Sequence, residues 1–135
     1  MGLVGRVIPK KMSKCVLIID NEEGVLGLAR ASLEAPGGWR VLTARSGKEG
    51  LACAAAERPD AILLDVMMPD LDGPATVRQL RANPATRSIP VILLSAKIQS
   101  ADRHQFANLD VRGVISKPFD PLRLAAQISM AMGWS

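Results

Sequence analysis

Residues 61–73, AILLDVMMPDLDG, set an unbroken apolar run against a carboxylate and then against a loop rich in turn residues. A half-exposed strand alternates apolar and polar positions, but Ala61, Ile62, Leu63 and Leu64 offer no polar face. That pattern belongs to a strand covered by helices on both sides of a parallel sheet. Asp65 stands where such a strand ends. Pro69 and Gly73 then shape a loop, and Pro74 suits the opening turn of a helix. The segment therefore reads as strand, loop and helix, with an acid at the carboxyl end of the strand.

The same grammar extends in both directions. CVLIID at 15–20 and IPVILLSA at 89–96 are similar apolar runs, while WRVLTA at 39–44 and RGVIS at 112–116 are more polar. Five such strands separated by helical stretches predict an α/β fold with a parallel sheet, its first, third and fourth strands central. The first helix is expected to start at Asn21 and to stop at Pro36, Gly37 and Gly38. Ser46 with Glu49 forms a capping box for the second, Pro74 opens the third, and Asp120 with Pro121 opens the last. The stretch from Ser100 to Asn108 has only Ala101, Phe106 and Ala107 for an apolar face, which makes a weak helix.

Composition narrows the class. With 135 residues, 48% hydrophobic and 22% charged, the chain suits one folded domain and not a disordered segment. Its apolar runs are interrupted well before the ~20 residues of a membrane span, and no signal-peptide core is present, so a cytoplasmic location is expected. Cys15 and Cys53 form neither a CxxC pair nor a spacing suited to zinc, and read as small buried residues. The net charge of +4 comes from Arg6, Lys10, Lys11 and Lys14, all ahead of the first acid, Asp20. No recognition-helix motif accompanies them, so DNA binding is not expected. Residues 1–13 read as a basic N-terminal extension or a cloning remnant, and 14–133 as the domain.

In an open parallel sheet, ligands sit at the carboxyl ends of the strands. Those ends carry Asp20, Asn21, Asp65, Ser95 and Lys117. Oxygen donors suit Mg²⁺, while the hydroxyl and ammonium suit a phosphoryl group, so the set is equipped for phosphoryl transfer onto a carboxylate.

The motifs VLIIDNEE, AILLDVMMPDLDG, IPVILLSA and GVISKPF, with separations of 45, 30 and 22 residues between Asp20, Asp65, Ser95 and Lys117, resemble those of response-regulator receiver domains of two-component signalling over about residues 14–132. The resemblance implies a flavodoxin-like, doubly wound (βα)5 fold with strand order 2-1-3-4-5. It implies a single-domain response regulator in which Asp65 accepts a phosphoryl group from a histidine kinase or a histidine phosphotransfer protein, with Mg²⁺. Asp20 would orient the metal through water, the backbone carbonyl of Met67 would complete its coordination, Ser95 would bind a phosphoryl oxygen, and Lys117 would offset charge. Ala96 would keep the mouth open, and a cis bond before Pro118 would aim Lys117 inward. Such a chain is no enzyme beyond its own aspartyl phosphorylation and dephosphorylation. It would signal to a downstream protein across the face of the fourth helix, fifth strand and fifth helix.

Three positions depart from the family pattern. Asn21 stands where a second acid usually touches the metal; a unit charge at ~4 Å is worth about 4 kcal/mol at an effective dielectric of about 20, so cation affinity should fall. Asn21 serves either as a ligand through its carbonyl oxygen or as a helix cap, and Glu22 is a partial substitute. Val114 replaces a switching aromatic, and Asp110 a frequent Gly. These departures motivate an alternative: a degenerate receiver acting as a phosphorylation-independent docking module. An aspartyl phosphatase is disfavoured because Met67 stands where a second acid is needed. A flavin site is disfavoured because Asn21, Glu22 and Glu23 would repel its phosphate. His104 reads as a partly exposed helix residue, and Met67 and Met68 as packed beneath the loop. Met130, Met132 and Trp134 read either as a partner patch or as a face folded onto the sheet.

Overall fold

The computed structural model describes residues 14–96, 106 and 108–134. Five strands, β1 (Cys15–Ile19), β2 (Arg40–Ala44), β3 (Ala61–Asp65), β4 (Val91–Ser95) and β5 (Gly113–Ser116), form one sheet in the order β2-β1-β3-β4-β5. Every pairing is parallel. The expected order is thus observed, with the three most apolar strands in the middle. Among the described residues the helices are α1 (Glu23–Gly37), α2 (Gly47–Glu57), α3 (Gly73–Ala82) and α4 (Leu124–Met132). The weak helix expected at Ser100–Asn108, with His104, falls outside the described residues except for Phe106, which is buried, and Asn108.

The missing polar alternation has a direct cause: both faces of the central strands are covered. Val16, Ile18, Leu63, Ile92 and Leu94 pack with Leu33 of α1 and with Leu124 and Ile128 of α4. Their neighbours Leu17, Ile19, Ile62, Leu64 and Leu93 pack on the other face with Ala54 of α2 and with Val77 and Leu80 of α3. Each fully buried Leu or Ile contributes roughly 1.5–3 kcal/mol by leaving water, so two such layers hold the strand ends in fixed positions.

Helix starts follow local polar chemistry and differ in detail from expectation. Asn21 does not cap α1. The N-cap is Glu22, and Asp20 Oδ1 accepts the Glu22 amide at 2.9 Å, which delays the helix to Glu23. Ser46 caps α2 by accepting the Glu49 amide, as its capping box requires. Asp72 caps α3 through the Ala75 amide at 2.8 Å, ahead of Gly73 and Pro74. Asp120 heads a separate turn by accepting the Leu122 amide at 2.9 Å, and α4 begins only at Leu124. Gly38 closes α1 in the left-handed region at φ 65°, where a side chain would be strained.

Cys15 and Cys53 are only half-buried, and both are free thiols. Met68 packs under the loop as expected, but Met67 is 76% exposed and does not. The C-terminal end divides its apolar residues: Met132, the last residue of α4, and Trp134 beyond it pack on the first core layer while Met130 is exposed. Trp134 meets Trp39 edge to face at 5.5 Å, and Lys14 Nζ lies 4.8 Å above the Trp134 ring. The two ends of the described chain are thereby fastened together.

Candidate functional site

The parallel register brings the strand ends to one edge. Asp20 follows β1, Asp65 and Ser95 are the last residues of β3 and β4, and Lys117 follows β5. Asp20, Asp65 and Ser95 are buried. Two backbone bonds fix the edge: the Asp20 amide donates to Ala44 O at 3.0 Å, and the Lys117 amide donates to Ser95 O at 2.8 Å. The Lys117–Pro118 bond is cis, as the resemblance implies.

Lys117 is the hub. Its Nζ lies 2.8 Å from Asp20 Oδ2, 3.3 Å from Asp65 Oδ1 and 3.3 Å from Glu22 Oε1. Burial alone would lower the ammonium pKa, but Asp20, then Asp65 and Glu22, outweigh it and raise it. The Asp65 carboxyl is pushed up, first by burial and then by the Asp20 charge; Lys117 and the Met67 amide offset part of this. Asp65 is thus a buried carboxylate whose one close cation, Lys117, only partly offsets burial and the Asp20 charge.

The loop after β3 is held from two sides. The Gly73 amide donates to Val66 O at 2.8 Å, and a Cβ at Gly73 would come within 2.9 Å of Val66 Cα, so only glycine permits this close return. Asp70 reaches across to α2, accepting the Gly47 amide at 3.1 Å and the Lys48 amide at 3.0 Å. Those bonds hold its carboxyl below the usual range. The sequence reading missed Asp70 and Asp72; an acid a few residues after an apolar strand was the available signal.

The sequence-derived residues divide as follows. Asp20, Asp65, Ser95 and Lys117 share one edge. Asn21 is exposed beside it, while the following residue, Glu22, reaches Lys117. The Met67 amide approaches Asp65 Oδ1 at 3.4 Å. Val114 packs partly buried against the second core layer. A cavity of about 470 Å³ opens next to the hub, lined by Glu22, Val25, Leu28, Ala96, Lys117 and Phe119 among others.

An oxygen of Asp20 tests the fit of a cation. Asp20 Oδ2 is buried and meets Lys117 Nζ at 2.8 Å, with no other hydrogen-bond partner among the described residues. A buried carboxylate oxygen with a spare lone pair beside a second carboxylate suits a hard divalent ion. No three His, Cys, Asp or Glu side chains group as a ready-made metal set among the described residues. Mg²⁺ nevertheless needs only one or two carboxylates when phosphate oxygens and water complete its octahedron.

Residues 16–129 match the response regulator receiver domain family. The chain belongs to that family. The receiver is 40% identical to the response regulator PleD of Caulobacter vibrioides over 117 residues, covering 87% of this chain and 26% of PleD. It is 34% identical to protein PilH of Pseudomonas aeruginosa, covering 87% of this chain and 96% of PilH. The chain spans about a quarter of PleD and 48% of the Bacillus subtilis regulator PhoP. Among solved structures, Vibrio cholerae chemotaxis protein CheY4 superimposes with a TM-score of 0.82 at 26% identity, covering 88% of this receiver and 98% of CheY4. The receiver domain of the sensor histidine kinase PA1611 of Pseudomonas aeruginosa, solved with magnesium in its active site cleft, gives 0.79 at 27% identity, covering 90% and 98%. No helix among the described residues is long and apolar enough to cross a membrane.

Proposed function

We propose that this receiver accepts a phosphoryl group on Asp65 from a histidine kinase or a histidine phosphotransfer protein, with Mg²⁺, in the cytoplasm. The carrying observation is Lys117 Nζ at 3.3 Å from Asp65 Oδ1 and 2.8 Å from Oδ2 of the buried Asp20. In the transfer, an Asp65 oxygen forms a bond to phosphorus as the phosphorus–nitrogen bond of the donor phosphohistidine breaks. The electron pair stays on the imidazole, which takes up a proton, and Asp65 becomes an acyl phosphate. Lys117 would turn from the carboxylates toward the incoming phosphoryl oxygens, and the Ser95 hydroxyl would hold one of them. Mg²⁺, when bound, would offset the charge of attacking carboxylate and phosphoryl group together. Asp20 and Asp65 would hold it, with the Met67 carbonyl and, through its amide oxygen, Asn21.

Residues 14–133 are the proposed unit, and its output is a phosphorylation-dependent protein contact. The proposed face is that of the fourth helix, fifth strand and fifth helix of the sequence; β5 and α4 are the last two of these, and the helix expected at Ser100–Asn108 lies mostly outside the described residues. The exposure of Leu122 and Met130 favours a contact there.

Incubation with Mg²⁺ and acetyl phosphate should give, by intact mass, an adduct of one phosphoryl group. The adduct should be lost with Asp65→Asn and suppressed by a chelator. Absence of any adduct would favour the second reading, a phosphorylation-independent docking module. That reading draws on the exposed Asn21 in place of an acid and on Val114, partly buried against the core, in place of an aromatic.

A further inference from the structure

The opposite edge of the sheet carries a second charged cavity. It measures about 190 Å³ and is lined by Arg81, Arg87, Ser88, Pro90, Asp110 and Arg112. Pro90 immediately precedes β4 and Arg112 immediately precedes β5, whereas Ser95 and Lys117 mark the other ends of these strands. About 16 Å of strand, at ~3.3 Å per residue, separates Pro90 from Ser95. The cavity is therefore distinct from the Asp65 site.

Three guanidinium groups share this small space with one carboxylate, which leaves two positive charges in excess. Among the described residues, Arg87 and Arg112 have no ion-pair partner; the salt bridge here is Arg81 Nε to Asp110 Oδ2 at 3.1 Å. Arg81 is locked in place: Nη1 donates to Arg87 O at 3.1 Å and to Ile89 O at 2.8 Å, and Nη2 donates to Asp110 O at 2.8 Å. Its Nε is buried and lacks a well-directed hydrogen bond, although the Asp110 oxygen is close. The Asp110 side chain itself is 84% exposed, so this counter-ion is held loosely. A fixed cation, two unpaired cations, a hydroxyl and a displaceable carboxylate around one polar hollow suit an oxyanion with several acceptor oxygens.

We infer that the cavity between the ends of α3, β4 and β5 binds a phosphate group, either as the free anion or as the phosphate of a nucleoside monophosphate. Arg87 and Arg112 clamp its oxygens, Arg81 fixes the field, Ser88 donates its hydroxyl, and Asp110 swings out to admit it. The inference is independent of chemistry at Asp65.

The test is titration of the ¹⁵N-labelled full chain, without Mg²⁺ and at ionic strength held constant with chloride. Inorganic phosphate and adenosine 5′-monophosphate are used in separate arms. Saturable shifts are expected at the Arg81, Arg87 and Arg112 side-chain signals and at the Ser88 and Asp110 amides. The double variant Arg87→Gln, Arg112→Gln alters two exposed side chains and should keep its fold by circular dichroism, yet weaken binding at least ~10-fold. Asp110→Asn should tighten binding a few-fold by removing the competing carboxylate. Equal midpoints in the two arms identify the phosphate group itself as the ligand, and a tighter nucleotide midpoint identifies the nucleotide as its source. Non-saturating shifts, shifts confined to the Asp20–Lys117 edge, a double variant that binds as the parent does, or an Asp110→Asn variant that binds no tighter would each overturn the inference.

Discussion

The two edges of the sheet both pair a cation with carboxylates, but they fix opposite partners. At the carboxyl edge Asp20 and Asp65 are buried, and the ammonium of Lys117, whose side chain is 13% exposed, meets side-chain oxygens of Asp20, Asp65 and Glu22 among the described residues. At the amino edge Arg81 is fastened by three backbone carbonyls while its carboxylate partner Asp110 lies in solvent. A cation held by backbone is part of the architecture and stays where the fold puts it. A cation held by side chains can exchange partners, which is what the proposed phosphoryl transfer would demand. The same elementary attraction thus yields a backbone-fastened brace at one edge and a side-chain cluster at the other.

The largest expected effect is at the side-chain cluster. Lys117→Ala leaves the buried Asp20 and Asp65 without their shared counter-charge, and should cost about 3 kcal/mol in urea unfolding while abolishing the phosphoryl adduct. Arg81→Ala comes next. Freeing the carbonyls of Arg87, Ile89 and Asp110 should cost about 2 kcal/mol, with adduct formation at Asp65 kept near the parent level. If Arg81→Ala lost the adduct and Lys117→Ala retained it, the contrast between brace and cluster would collapse.

Asp65→Asn should work in the opposite direction, raising stability by about 1 kcal/mol at neutral pH while removing phosphorylation. The sign follows from the raised carboxyl. A group whose pKa is higher in the folded state favours folding while protonated, and that advantage is lost as pH rises through the folded value. The gap in melting temperature between Asp65→Asn and the parent should therefore widen as pH climbs above 3.8, the ordinary value of the group. The smallest effect belongs to Asp70, whose carboxyl is lowered. Its contribution is present above 3.8 and fades as pH falls through its lower folded value. Asp70→Asn should accordingly lower the melting temperature slightly at neutral pH, and the gap from the parent should close as pH falls below 3.8, which flattens the acid limb.

The strands were legible because burial on both faces writes itself as runs such as Ile62–Leu64, and the convergence of Asp20, Asp65, Ser95 and Lys117 was legible from their places at strand ends, with the family resemblance beside it. Helix starts were less so. Asp20 spends one carboxylate oxygen on the Glu22 amide, which moves the start of α1, and a short-range pattern does not encode that choice. Glu22 rather than Asn21 meets Lys117 because of the direction in which the turn leaves β1. Arg81 carried no sequence signal at all, since its acceptors come from the turn after α3 and from the approach to β5, and only the fold assembles them.

The edge-to-face stack of Trp39 on Trp134, with Lys14 above it, gathers both ends of the described chain at the sheet edge remote from Asp65. Lys14 and Trp134 therefore brace each other at the floor of the sheet, and the rim that gathers Asp20, Asp65 and Lys117 is left clear of both.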